Sequence, residues 1–254
     1  MLKRICNKHI QEDDEMFVVY AHRGASEYAP ENTMSSFYMG LYMGANGIET
    51  DIRKTKDGVL VLFHDATLDR VTGKSGDVAD FTYDELCKIP VIHTNSGRFD
   101  IIPRLDDFLH YCGSYPVRLA LEIKAPDIER EVYEMVKKYR LEERVTITSF
   151  SLDYIKALKK EYPEASVGYL TEDFDDAMLA QMKDIGIGQL CPRGINLTPE
   201  KVRKWHSEGF EVRAWGIKDI EIMKYAYDCG VDGMTVNFPD RLIEYIIYRQ
   251  GEGK

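Results

Sequence analysis

From residue 17 almost to its end the chain alternates short runs of β-branched and aromatic residues with longer amphipathic stretches, and this constrains the fold more than any other feature. Such an alternation suits a parallel sheet covered by crossover helices. The runs are FVVYA (17–21), GIETDI (47–52), VRLALEI (117–123), VTITSF (145–150), SVGYL (166–170), a weaker one within IGQLCPRGINL, EVRAWGI (211–217) and DGMTVNF (232–238). They number eight, the count that closes a (β/α)8 barrel. Between them DIEREVYEMVKKYR, SLDYIKALKKEY, TPEKVRKWHSEG and IEIMKYAYDCG read as helices, several opening on Ser, Thr or Asp caps and two closing on glycine. The fold expected is therefore α/β, one barrel domain over residues 1–254.

One segment breaks the alternation. GIETDIR is followed by TKDG and then VLVLFHD, which leaves no room for a crossover helix, so the two runs are expected to pair as a hairpin. A turn centred on Lys56 and Asp57 sets Asp51 opposite Leu62 and Glu49 opposite His64, and so delivers His64 to Glu49. Residues from about 53 to 102 are expected to form a small insertion after the second strand. The stretch PRLDDFLHYC then returns the chain as a helix to the third strand.

Composition narrows the function. The 254 residues are 44% hydrophobic, ample for a substantial core, while a net charge of −10 provides no general field for a polyanion. Nucleic acid and anionic membrane surfaces are thereby disfavoured as partners, and any phosphate must be gripped locally. The cysteines, Cys6, Cys87, Cys112, Cys191 and Cys229, are scattered without a close pair, as in a reducing compartment, and no zinc knuckle is present. The opening MLKRICNKHIQEDDE turns acidic before any apolar run of signal-peptide length, and the later runs are too short for a membrane anchor. The protein is read as cytoplasmic.

Side chains two apart on a strand share a face, so Glu49 and Asp51 form one acidic pair, and Glu122 and Lys124 place a carboxylate and an ammonium on another strand. Any one alone reads as a salt bridge. Three inward carboxylates at strand ends are costly unless paired or metal-bound, and they make an oxygen donor set for Mg²⁺ or Ca²⁺. His22 and His64 also end apolar strands, where imidazoles can exchange protons near neutral pH. Arg23 offers a planar fork for phosphate oxygens, supplemented by Lys124. Trp215 and Phe150 are candidates for the pocket floor. Glu31 and Asn32 either orient His22 or open the first helix. His9, His93, His110 and His206 are assigned no role.

Together HRGASEYAPENT, GIETDIRKTKDGVLVLFHD, ALEIK and GVDGMTVNFPD resemble the glycerophosphodiester phosphodiesterase family, a TIM-barrel branch of the phospholipase-C-like phosphodiesterases. The resemblance runs in order from residue 20 to about 240. It implies hydrolysis of small-molecule glycerophosphodiesters to sn-glycerol 3-phosphate and an alcohol. His22 and His64 would be the acid/base pair, Glu49, Asp51 and Glu122 the ligands of a divalent metal, and Arg23 and Lys124 the phosphate contacts, with Trp215 beside the substrate. Two departures stand out: the family commonly has Trp-Thr-x-Asn and a later Thr-Asp, where this chain has Trp215, Gly216, Ile217, Lys218 and then Val236, Asn237. The alternatives are a lysophospholipase D, which needs an apolar channel, a two-carboxylate glycosidase, and a non-enzymatic Ca²⁺-binding barrel. The last two leave the histidines without a task.

Overall fold

The computed structural model describes residues 17–252, so Cys6, His9 and the amino-terminal stretch lie outside the described residues. Its strands are β1 (Val18–His22), β2 (Gly47–Lys54), β3 (Leu60–Leu62), β4 (Pro90–Ile92), β5 (Phe99–Ile101), β6 (Arg118–Ile123), β7 (Val145–Ser149), β8 (Val167–Thr171), β9 (Gln189–Pro192), β10 (Glu211–Ile217) and β11 (Gly233–Val236). β1, β2 and β6 through β11 pair in parallel, and β1 closes the ring by bonding both β11 and β2. All eight runs read from the sequence are barrel strands, including the weak sixth, whose Gln189–Pro192 pairs with β8 and β10. A (β/α)8 barrel is thus formed.

Period-two alternation divides the strand residues between two environments. Outward Ile48, Leu121, Ile147, Leu190, Val212 and Met234 pack with helix residues in one large core, in which Phe37 of the helix Met34–Tyr42 meets Phe108 of the helix Leu105–Cys112 edge-on at 4.7 Å. Inward Val18, Tyr20 and Ala120 make a small apolar plug. Above the plug lies Arg213, only 1% exposed, with its guanidinium bonded to Gln189 Oε1 (2.9 Å) and Thr235 Oγ1 (2.8 Å) and stacked over Tyr20. No carboxylate bonds it directly, so its charge adds a positive potential beneath the carboxyl ends of the strands. That end is where acidic side chains gather.

The hairpin forms, but its register differs from the expected one by a residue. Ile52 lies opposite Leu62 and Lys54 opposite Leu60. The reason is the loop: Thr55 N–H bonds the Val59 carbonyl across three residues, Lys56, Asp57 and Gly58, and Gly58 at φ +84° takes the left-handed position that such a loop requires. An odd-length loop moves the centre onto Asp57. Asp51 therefore faces Phe63, whose N–H bonds its carbonyl at 3.0 Å, and Glu49 is not the strand partner of His64.

Between β3 and the helix Leu105–Cys112 the chain builds a second apolar cluster, centred on Val61, Phe63, Leu68, Leu86 and Ile102. It carries the antiparallel pair β4–β5, which leaves Ile92, Phe99 and Ile101 exposed on one face. The sequence analysis did not detect this pair.

Gly24 ties β1 to the first helix. It has φ +79°, and a Cβ there would lie 2.4 Å from the Ser36 backbone carbon and hydroxyl. Gly24→Ala is expected to destabilise the protein by about 2 kcal/mol or more, from left-handed strain and overpacking together. Urea unfolding followed by circular dichroism checks this.

Candidate active site

β2 is longer than β1, and this creates the site. β1 pairs with β2 only as far as His22 opposite Glu49, while β6 holds the other edge of β2 from Gly47 to Ile52. The edge vacated by β1 is taken up by β3, beginning at Ile52 opposite Leu62. β1 runs up that edge and β3 runs down it. They carry His22 and His64 from opposite directions toward the stretch Glu49–Asp51.

Consecutive strand residues point to opposite faces, so His22 and Arg23 could not both serve the mouth in a regular strand. Arg23 leaves the strand in a left-handed conformation, φ 55°, which returns its guanidinium over the same face. That conformation costs about 1–3 kcal/mol in a residue with a side chain. It is held by the Arg23 N–H donating to Glu49 Oε2 at 3.0 Å and by the Arg23 guanidinium on Glu31 at 2.8 Å.

Glu49, Asp51 and Glu122 each present a carboxylate oxygen within 4.8 Å of the others, and all are buried. Asp51 accepts from Asn32 Nδ2 at 2.9 Å and lies 3.3 Å from Arg23 Nε and 3.4 Å from Lys124 Nζ. Lys124 Nζ also pairs with Glu122 Oε1 at 2.5 Å. Burial, then the neighbouring Asp51 and Glu122 charges, push the Glu49 carboxyl up to about 8. Burial and Asp51 raise Glu122 to about 7. Burial acts on Asp51 as well, but Arg23 and Lys124 hold it well below the ordinary carboxylate range. An all-oxygen donor set of three converging carboxylates, two of them raised by burial and mutual repulsion, fits a hard divalent cation.

The histidines are fixed through Nδ1. His22 Nδ1 lies 2.6 Å from Asn237 Oδ1 and His64 Nδ1 lies 2.7 Å from Asp65 Oδ1. With the amide oxygen as acceptor, Nδ1 of His22 carries the proton and Nε2, 3.9 Å from Glu49, is bare. Burial and then the Arg23 charge lower the His22 pKa, so the ring is neutral at pH 7. Burial lowers His64 too, against the pull of Asp51 and Asp65. Asp65 is held in turn by Arg70 (2.6 Å), whose other nitrogens bond Glu31 at 2.6 and 2.8 Å. Arg70, from the segment after β3, thus links the His64 side to the Arg23 side.

All eight candidates meet in one place. A cavity of about 310 Å³ is lined by His22, Arg23, Glu49, His64, Glu122 and Lys124, with Asp51 beneath it. Trp215 and Phe150 form its far wall, edge to face at 4.9 Å, with the Lys124 ammonium 5.4 Å from the Phe150 ring centre. Glu31 and Asn32 turn to Arg23 and Asp51 rather than to His22, and Thr33 caps the first helix. A larger hollow of about 640 Å³ opens at the amino-terminal ends of the strands, lined by Arg118, Arg144 and Glu211 and remote from these groups. Arg53, Asp65, Arg70 and Arg213 carry no spacing signal in the sequence that marks them for this site. Asn237 stands out there only as a departure, although its place at the end of the eighth strand marks it as facing the mouth.

A closed barrel with carboxylates, histidines and two cations at the carboxyl ends of its strands has the equipment of a phosphate-handling hydrolase. Residues 22–241 match the glycerophosphoryl diester phosphodiesterase family. The chain is 33% identical to a glycerophosphodiester phosphodiesterase of Caldanaerobacter subterraneus subsp. tengcongensis, across 90% of this chain and 97% of that one. Among solved structures, the glycerophosphodiester phosphodiesterase of Agrobacterium tumefaciens C58 superposes with a TM-score of 0.80 at 26% identity, covering 89% of this chain and 99% of that one. An Oleispira antarctica phosphodiesterase in complex with its product sn-glycerol-3-phosphate shares the fold, with a TM-score of 0.79 at 24% identity over 91% and 97% of the two chains. The chain belongs to the glycerophosphoryl diester phosphodiesterase family, and its enzyme class is that of a glycerophosphodiester phosphodiesterase.

The raised carboxyls have a thermodynamic consequence. A carboxyl whose pKa is higher folded than unfolded stabilises the fold below its unfolded pKa, and that contribution is lost as pH rises through the folded value. For Glu49 and Glu122 the loss falls between about pH 4.5 and their folded values near 8 and 7. Between pH 7 and pH 8, above the range in which the lowered pKa values of His22 and His64 add stability, metal-free protein is expected to melt at progressively lower temperature, and Glu49→Gln to flatten that slope. Calorimetry in chelator at each pH checks both.

Proposed function

We propose that this enzyme cleaves glycerophosphodiesters, such as deacylated phospholipid headgroups, to sn-glycerol 3-phosphate and an alcohol. A divalent cation, Mg²⁺ or Ca²⁺, would be held by Glu49, Asp51 and Glu122. The observation that carries this reading is the convergence of three buried carboxylates within 4.8 Å, flanked by two histidines whose Nδ1 atoms are both engaged. When bound, the cation polarises the phosphoryl oxygens.

The chain's own residues do the rest. Arg23 and Lys124 face the remaining phosphate charge from two sides. His22, neutral and bare at Nε2, removes the proton from the substrate hydroxyl beside the phosphorylated carbon, whose oxygen bonds phosphorus to form a cyclic phosphate as the other alkoxide departs. The charged form of His64, supported by Asp51 and Asp65 against burial and with its Nδ1–H held by Asp65, gives a proton from Nε2 to the departing alkoxide. In a second step the rings exchange roles: His64 takes a proton from the water that bonds phosphorus and His22 gives its proton to the ring oxygen that leaves, which opens the cyclic phosphate to sn-glycerol 3-phosphate and restores both starting forms. The aromatic wall and a cavity at the small end of the range for ligand sites favour a headgroup over a lysophospholipid, whose acyl chain needs a longer apolar channel. Free thiols at Cys87, Cys112, Cys191 and Cys229 support a cytoplasmic setting, and no helix among the described residues is long and apolar enough to cross a membrane.

Chelation is expected to abolish turnover and added Mg²⁺ or Ca²⁺ to restore it, with Glu49→Gln requiring more metal for half-restoration. Full activity after exhaustive chelation would remove the metal from the mechanism. Product analysis on glycerophosphodiesters and lysophospholipids tests the substrate class in the same assay.

His22→Ala and His64→Ala are each expected to lower turnover by at least about a hundredfold while melting normally. The two should separate by leaving group. A p-nitrophenyl diester needs no protonation on departure, so it should recover much of the His64→Ala loss and little of the His22→Ala loss. Equal behaviour of the two variants would refute the division of roles.

A further inference from the structure

We propose that Arg53 is a positioning residue for the reaction, setting His64 and Lys124 together through their main-chain carbonyls. Glu49, Asp51 and Arg53 lie on one face of β2; Arg53 falls beyond the last β2–β6 pair, Ile52 opposite Ile123, and still lies opposite Val61 of β3. Among the described residues no carboxylate lies within 4.0 Å of its guanidinium nitrogens. Instead Nε and Nη2 both donate to the His64 carbonyl, at 2.9 and 2.8 Å, and Nη1 donates to the Lys124 carbonyl at 3.0 Å. Those oxygens belong to residues just past the ends of β3 and β6, where the strand ladders have stopped.

The geometry explains why an arginine is needed. β3 and β6 flank β2 on opposite edges, and beyond Ile52 they have only β2 between them. A planar fork with donors on two sides can hold a carbonyl from each flank at a fixed separation, whereas an ammonium is a point donor on a flexible stem. His64 is thereby held by its backbone, independently of the Asp65 bond that holds its ring. Lys124 is held by its backbone while its ammonium stays beside Asp51 and Glu122. Arg53 touches neither the reacting atoms nor the carboxylate trio by hydrogen bond, so its contribution runs through the two residues it aligns.

The inference rests on the reading of His64 as proton donor, and the test separates the two. Arg53→Gln and Arg53→Lys are compared with the parent, with His64→Ala and with the Arg53→Gln/His64→Ala double variant, on an alkyl and a p-nitrophenyl glycerophosphodiester. Arg53→Gln is expected to lower kcat for the alkyl substrate by about tenfold to a hundredfold, the scale of a misplacement near 1 Å. Because Lys124 is released as well, KM should rise for both substrates, while kcat for the p-nitrophenyl substrate stays within about threefold. In the His64→Ala background Arg53→Gln should add no further loss of kcat on the alkyl substrate. Arg53→Lys, which keeps the charge and one donor, should show the same leaving-group dependence more weakly, and it carries the test if Arg53→Gln melts early. Parent-like kinetics, equal kcat losses on the two substrates, or losses that simply multiply with His64→Ala would overturn the proposal. Absence of leaving-group dependence in His64→Ala itself would remove the proton role of His64, and non-additivity of the two substitutions would still decide whether Arg53 acts through it.

Discussion

Three carboxylates almost sealed from water and within 4.8 Å of one another cannot all be ionised without positive charge among them, and the mouth of the barrel is organised by that constraint. Arg23 and Lys124 compensate Asp51, Lys124 also pairs with Glu122, the buried Arg213 contributes from below, and burial still raises the Glu49 and Glu122 carboxyls. The unusual backbone at Arg23 follows from the same requirement: its N–H serves Glu49 while its side chain reaches Asp51 and Glu31. This end of the molecule therefore carries carboxylates whose mutual repulsion the protein's own cations only partly offset.

The barrel was legible in the sequence because each strand is a separate apolar run, and separateness survives an error of a residue or two at the ends. The site was legible because its side chains alternate along strands: Glu49 with Asp51, and Glu122 with Lys124, had to share a face. The hairpin register was less so. It depends on loop length, and the choice between Lys56–Asp57 and Lys56–Asp57–Gly58 as the loop shifts every cross-strand pair. His64 still reaches the mouth because it follows the last paired residue of β3, where the chain is free to bend.

What the sequence concealed was mainly the second layer. Asp65, Arg70 and Arg53 act on other residues rather than on the cavity, and no spacing rule distinguishes an arginine bonded to a carbonyl from one in solvent. Asn237 is different in kind. The family commonly has an acidic residue there, and a carboxylate beside His22 would favour the charged imidazole. The amide holds the ring in the same place without adding charge, which keeps the neutral form. Lys218, the other departure, is exposed at the rim and lines the cavity without entering the network below it.

The way β1 closes the ring divides the site by distance along the chain. Arg53 finds His64 across 11 residues and Lys124 across 71, contacts that a growing or refolding chain can make before the barrel is complete. His22 finds Asn237 across 215 residues, a partnership available only once β11 has docked on β1. Contacts of such sequence separation carry the largest loop-closure entropy and form slowly. The half of the centre that grips anions is thus assembled early and locally, and the half that orients the imidazole of His22 waits for the seam. A chain nicked or truncated in its last strand would retain most of its charge cluster and lose the alignment of that imidazole, so the orientation of the His22 ring is a report on whether the ring of strands has shut.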